Sequence, residues 1–169
     1  MRLGEILALC WNDINLSTNT ISVTKTAYFV NNKYYINSTK TRAGTRTITI
    51  NNKLSELLKK WQENQKIMLE EFTTDTDSLQ VIQSSPITVT KNMVDKKYKQ
   101  ILSRNKKLKR IRIHDFRHSH ASLLINNGED YLVVKERLGH ASITTTIDTY
   151  SHLYPSKQKS LAKKLDDIF

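Results

Sequence analysis

Three short stretches in the second half of the chain constrain it more than anything else. They are Ile113-His114-Asp115-Phe116-Arg117-His118-Ser119-His120, then Leu138-Gly139-His140, then Asp148-Thr149-Tyr150. His114 and Arg117 lie three apart, so on a helix they share a face and reach one ligand. The apolar positions Phe116, Ala121, Leu123, Leu124 and Ile125 predict that helix, with His114 at its start and Gly128 as its stop. A second predicted helix, Tyr131 to Leu138, buries Val133, Val134 and Leu138 and ends at Gly139, which tolerates a left-handed turn. His140 follows that turn, and Ser142 is placed to cap a third helix carrying Tyr150. Arginine, two histidines and a tyrosine in one basic region are the inventory needed to hold a phosphodiester and attack it with a phenol. A planar guanidinium can clamp two phosphate oxygens, which a lysine cannot.

Composition narrows the partners. The chain has 169 residues, 38% of them hydrophobic, enough for one sizeable core and better suited to one domain than two. Lys plus Arg number 27 against 16 acids, a formal charge of +11. That excess favours a polyanion, with nucleic acid first, over a merely basic surface. Cys10 is the single cysteine, which excludes a disulfide framework and a cysteine-based zinc site; it reads as a small buried apolar residue. His114 and His118 are four apart, yet no Glu stands between them and cations surround them, so zinc is not expected. His118 and His120 are read as packing or facing solvent. There is no membrane-spanning run and no signal-peptide pattern, and a reducing cytoplasm fits best.

Along the chain, Ile6 to Trp11 has helical content without a preceding cap, which suggests a chain cut from a longer protein. Thr20 to Thr26, Lys33 to Ile36 and Arg46 to Ile50 alternate and are β-branched or aromatic, predicting three antiparallel strands. Asn31-Asn32 marks one turn and Ala43-Gly44 the other. A helix is expected from Leu54 to Phe72, facing the core through Leu54, Leu57, Leu58, Trp61, Ile67 and Met68. Leu79 to Ile82 reads as a short strand. Thr88 or Thr90 then caps a helix from Lys91 to Arg104. Lys91, Lys96, Lys97, Lys106, Lys107, Lys109 and Arg110, with Lys25, Arg42 and Arg46 on the sheet, form the expected DNA-contacting set. Pro155 opens a last helix with an apolar stripe at Leu161, Leu165, Ile168 and Phe169.

The order Arg2, Lys40, His114-x-x-Arg117, Gly139-His140, Tyr150 resembles the catalytic signature of the tyrosine recombinases, the phage integrase family. The resemblance runs from Arg2 to beyond Tyr150. It implies an α+β fold, mainly helical with a small three-stranded antiparallel sheet, and one catalytic domain over residues 1–169 without the N-terminal core-binding domain. It also implies a site-specific DNA recombinase acting through a 3′-phosphotyrosine, without metal, ATP or other cofactor. On this resemblance Tyr150 is the nucleophile, and Arg2, Arg117 and His140 contact the phosphate. Lys40 is the general acid, His114 assists the tyrosine, and Glu5 supports the site. The implied partner is double-stranded DNA at attachment sites. A tetramer would be joined through the C-terminal helix, with a monomer for the piece alone, and no membrane is involved. Tyr154 is the nearest rival nucleophile, but Pro155 disfavours helix there. Lys25, Arg42 and Arg46 compete with Lys40. Two other readings stand beside this one: a type IB topoisomerase-like enzyme and a non-enzymatic DNA-binding module.

Overall fold

The computed structural model describes residues 1–31, 33–39, 41–150, 162, 165 and 166. Lys40 and most of the segment after Tyr150, including most of the expected final helix, lie outside the described residues.

The chain opens with α1 (Leu3–Ala8), and Arg2 stands at its N-cap. Glu5 accepts a hydrogen bond from the Arg2 backbone N–H at 2.7 Å, the reciprocal half of a capping box. A 3-10 turn leads into β1 (Ile14–Asn15), β2 (Thr20–Val23), β3 (Lys25–Val30), β4 (Lys33–Ser38) and β5 (Arg46–Thr49). Three longer helices and two short ones follow among the described residues: α2 (Asn52–Leu69), α3 (Lys91–Arg104), α4 (Asp115–Asn126), α5 (Tyr131–Leu138) and α6 (Ile143–Tyr150). This is the expected mainly helical α+β architecture with a small antiparallel sheet.

The expected strand Thr20 to Thr26 is in fact two. It breaks at Thr24, so β2 pairs with β1 and β5 in one sheet while β3 pairs with β4 in a separate hairpin. Each piece has its own cover. Ile21, Val23, Ile48 and Ile50 face Leu9, Trp11 and Val81, with Leu58 and Trp61 of α2 against them. Ala27 of β3 instead packs with Leu7 and Ala8 of α1 and with Val89. A single straight strand cannot present alternate residues to two covers on different axes. Gly4 makes the second packing close, because a Cβ there would sit 2.6 Å from Thr26 Oγ1 and 2.9 Å from the Ala27 carbonyl. The hairpin turn keeps Asn31 at φ 48°, a conformation asparagine tolerates.

Helix α2 turns a different face inward than its apolar residues predict. Ser55, Gln65 and Leu69 are buried, whereas Leu57, Ile67 and Met68 are exposed. The reason is polar. Gln65 accepts from the Trp11 indole and donates to the Gln80 and Gln83 carbonyls, and the Trp61 indole donates to the Val81 carbonyl. Gln80 in turn accepts from the Val89 N–H at 2.7 Å and donates to the Leu7 carbonyl. Two buried glutamines thus satisfy an irregular segment that would otherwise bury unpaired backbone. The expected strand Leu79 to Ile82 is accordingly only a bridge, Cys10 with Gln80. Cys10 is half-buried, not enclosed.

The third core lies between α4, α5 and α6: Ala121, Ile125, Val134, Leu138 and Tyr150. Val133 is 50% exposed rather than buried. Thr90 caps α3 and Asp130 caps α5 through side-chain acceptors. The Ser142 hydroxyl accepts from the Thr144 N–H at the start of α6. Among the described residues no helix is long and apolar enough to cross a membrane.

Candidate active site

The site is organised by the C-terminus of α5. The last carbonyls of a helix lack intrahelical partners and carry partial negative charge. Here three successive ones each take an arginine from a different part of the chain. Arg46 Nε donates to the Arg137 carbonyl at 2.9 Å, Arg117 Nη2 to that of Leu138 at 2.7 Å, and Arg2 Nη2 to that of Gly139 at 3.1 Å. Gly139 makes this convergence possible. Its φ is +71°, and a Cβ would lie 2.7 Å from Arg46 Nη1 and 2.9 Å from the Ala43 carbonyl. The turn expected from the sequence is therefore also a close approach between α5 and the loop before β5.

Glu5 is the carboxylate among these cations, with its side chain 3% exposed. It pairs with Arg2 Nη1 at 2.9 Å and with Arg46 Nη2 at 2.9 Å. Burial would raise the Glu5 carboxyl, but hydrogen bonds from Arg46 and from the Arg2 backbone overcome it and hold it at about 2. Among the described residues Arg117 has no carboxylate partner, and its Nη1 is buried without a hydrogen bond. Burial, reinforced by the charge of Arg2, draws its pKa down from 12.5 to about 10. A guanidinium in that condition is short of one anion.

His140 sits beside this group, its Nδ1 sharing a hydrogen bond with Thr146 Oγ1 at 2.9 Å. Thr146 is fully buried, so the ring is braced from α6. Burial, then the charges of Arg117 and Arg2, lower the His140 pKa to about 4, leaving it neutral at physiological pH. Tyr150, 3% exposed, packs its ring into the α4–α5–α6 core. Its hydroxyl meets His118 Nδ1 at 2.7 Å. Burial raises the phenol pKa, with Arg117 acting in the opposite direction, so the two groups feel each other. His114 is exposed and lies edge-on to His118, ring centroids 4.9 Å apart. Burial and the His118 and Arg117 charges lower its pKa. It borders a cleft of about 890 Å³, lined also by Arg112, Lys91, Tyr28, Phe29 and Tyr34.

Arg2, Glu5, Arg117, His140 and Tyr150 are thus brought together around one helix end, and His114 stands next to them. Arg2 is held by side-chain and backbone partners although it begins α1. Lys40 is outside the described residues. Of the residues around it, Gly44 is packed against Thr39 and Ala43 approaches Gly139. Two members of the expected DNA-contacting set have partners within the fold. Arg46 is an internal brace, its side chain 7% exposed and paired with Glu5, and so is withdrawn from any surface. Lys25 is half-buried and ion-paired with Asp13 at 2.9 Å. Arg42, Lys91, Lys96, Lys97, Lys106, Lys107, Lys109 and Arg110 are exposed.

Three participants escape sequence reading. The sequence reads His118 as packing or facing solvent, whereas its Nδ1 meets the Tyr150 hydroxyl. Arg137 donates to His120 Nε2 at 3.1 Å and to the Thr49 carbonyl at 2.9 Å, locking α5 to α4 and β5. Thr146 orients His140. Only the spacing of His118, one helical turn after His114, offered a signal.

Comparison with known proteins points to one family. A model of the phage integrase family matches residues 1–157. The chain is 41% identical to the ICEBs1 integrase of Bacillus subtilis (strain 168) over 169 residues, covering 99% of this chain and 46% of that protein. It is 28% identical to the integrase of Staphylococcus phage L54a, covering 99% of this chain and 49% of the other. It therefore spans about half the length of these curated relatives. Its fold is similar to that of the Tn1549 transposon integrase in complex with circular intermediate DNA (TM-score 0.79, 21% identity, 98% of this chain and 56% of that one). It is also similar to the catalytic domain of bacteriophage HP1 integrase (TM-score 0.57, 20% identity, 96% and 73%). With its basic cluster and tyrosine set around a helix end, and with a family match along nearly its whole length, the chain belongs to the phage integrase family of tyrosine recombinases.

Proposed function

We propose that this chain is the catalytic domain of a site-specific DNA recombinase that integrates or excises a mobile element. The observation that carries the reading is Arg117, a buried guanidinium with one nitrogen unpaired among the described residues, set among cations that Glu5 only partly offsets. A phosphodiester supplies the missing anion, and a phenol stands within electrostatic reach. In this reading Tyr150 attacks the phosphorus of one DNA strand, giving a 3′-phosphotyrosine and a free 5′-hydroxyl. Arg117, Arg2 and His140 stabilise the charge that develops on the phosphorane oxygens. Glu5 and Arg46 hold Arg2 and the α5 terminus in position. Lys40 protonates the departing 5′-oxygen, and His114 assists proton movement at the tyrosine. The phosphodiester energy is stored in the covalent bond, so neither a metal ion nor ATP is required.

The partners are double-stranded attachment sites in the cytoplasm, with strand exchange carried out by a tetramer joined through the C-terminal helix. The exposed cations of α3 and the following loop would track the backbone on either side of the scissile phosphate. The test is a DNA duplex nicked close to the cleavage site, so that cleavage traps the protein. A covalent adduct that survives SDS and disappears in Tyr150→Phe supports the proposal. An adduct that persists in Tyr150→Phe discards the nucleophile assignment. The burial of Tyr150 favours one rival, a non-enzymatic DNA-binding module. Tight binding with no adduct under any condition would establish that rival.

A further inference from the structure

We propose that His118 is a further catalytic residue of this site: it holds the Tyr150 phenol and takes its proton as the tyrosine attacks. The inference rests on Tyr150 being the nucleophile, as proposed above, and moves the proton-accepting role from His114 to the residue one turn along α4.

The contact is direct, His118 Nδ1 to Tyr150 Oη at 2.7 Å, in the range of a well-formed hydrogen bond. It joins α4 to the last residue of α6 across 32 positions of sequence. Two features bear on what the contact does. First, Tyr150 is buried and its phenol pKa is pushed upward, so at neutral pH it keeps its proton and needs an acceptor in order to attack. Second, His118 is only half-buried, and its ring lies edge-on to exposed His114 at the mouth of the cleft. A half-buried imidazole beside an exposed residue can pass a proton on to solvent. His114 occupies the outer place in this pair, while Arg117 on the intervening turn faces the α5 terminus.

The step balances without further reactants. With hydrogen on Nε2, Nδ1 of His118 accepts the phenol hydrogen. As the bond from Tyr150 Oη to phosphorus forms, that proton passes to Nδ1. As the bond from phosphorus to the 5′-oxygen breaks, Lys40 delivers a proton to that oxygen. Rejoining reverses both transfers. The imidazolium that forms next to Arg117 does so while the phosphorane gains negative charge, so the two changes offset each other.

The experiment measures single-turnover adduct formation at saturating DNA, using the protein in the longest form its reading frame encodes. Two nicked substrates are compared: ordinary DNA, and DNA whose scissile 5′-bridging oxygen is replaced by sulfur, which departs as a thiolate without needing a proton. We expect His118→Ala to slow adduct formation by about 100-fold or more on both substrates. His118→Asn, which retains a hydrogen-bond acceptor near the Nδ1 position but cannot carry a proton, should be slowed similarly. DNA retention without cleavage, read in a Tyr150→Phe background, should stay within about twofold, since the loss is in the chemical step and not in binding. Restoration of His118→Ala by the sulfur substrate would overturn the proposal, because the histidine would then serve the leaving group. Full activity of His118→Asn would overturn it too, reducing the contact to positioning. An unchanged rate in His118→Ala would do the same while leaving Tyr150 in its role. Absence of any Tyr150-dependent adduct from the unsubstituted protein would instead overturn both readings together.

Discussion

Two basic regions of this molecule carry the same kind of charge under opposite conditions. At the C-terminus of α5, Arg2, Arg46 and Arg117 are held by successive carbonyls and by Glu5, and the Arg46 and Arg117 side chains are almost wholly removed from water. Along α3 and the loop after it, Lys91, Lys96, Lys97, Lys106, Lys107, Lys109 and Arg110 are all exposed. An exposed ammonium is screened by water and salt, so it contributes to attraction at a distance and little to geometry. A desolvated guanidinium with an unfilled donor discriminates strongly between an anion present and absent. The first region is therefore suited to a reaction centre and the second to backbone tracking, although composition counts their charges alike.

The sharpest way to break this contrast is to keep the charge at Arg117 and remove its fork. Arg117→Lys cannot serve the Leu138 carbonyl and a phosphate at once. Adduct formation on nicked DNA should fall by about 10²–10³-fold. A variant retaining more than a tenth of the rate would mean that charge alone suffices there.

Next is Glu5→Gln, which leaves Arg2 and Arg46 beside an uncharged amide. Breaking a buried pair of this kind should cost about 3 kcal/mol in urea unfolding. It also has a signature in pH. The folded carboxyl sits at about 2, below its ordinary 4.5. Its contribution is therefore complete above pH 4.5 and lost as pH falls through about 2. That part of the acid dependence of stability should be missing in Glu5→Gln. An identical acid profile in both proteins would show that the carboxylate is not the counter-ion.

Gly139→Ala tests the close approach that lets the arginines converge. A Cβ at φ +71° and 2.7 Å from Arg46 Nη1 should cost about 2 kcal/mol of stability. It should also lower the adduct rate by displacing the last carbonyl of the turn. A neutral outcome would indicate that the loop before β5 yields easily.

The smallest effect is expected in the exposed region. Replacing Lys106 and Lys107 by Ala should leave the adduct rate at saturating DNA unchanged. The salt dependence of log affinity should fall by about 0.9 per lost phosphate contact, roughly 1.8 for the pair. A loss of chemical rate in this double variant would erase the distinction between the two regions.

Much of the architecture is readable along the chain because it is local. The cap at Thr90 and the left-handed stop at Gly139 depend on a few neighbouring residues. So does the order of helices bearing His114, Arg117, His140 and Tyr150. Where the reading went astray, distant partners decided. Thr24 divides a strand because two covers compete for its halves. Helix α2 buries Gln65 and exposes Leu57 because an irregular loop needs the amide more than the core needs the leucine. Arg46 looks like any surface cation until Glu5 and the Arg137 carbonyl, 41 and 91 positions away, enclose it.

By itself, then, the sequence determined which chemical groups this protein has and on which local elements they ride, since capping and periodicity act over a few residues. The tertiary structure decided which arginine is left short of an anion, which is spent as a brace, and which histidine reaches the phenol. Those outcomes depend on desolvation and on contacts as long as that between Arg2 and Gly139, separated by 137 residues, and no local pattern encodes them.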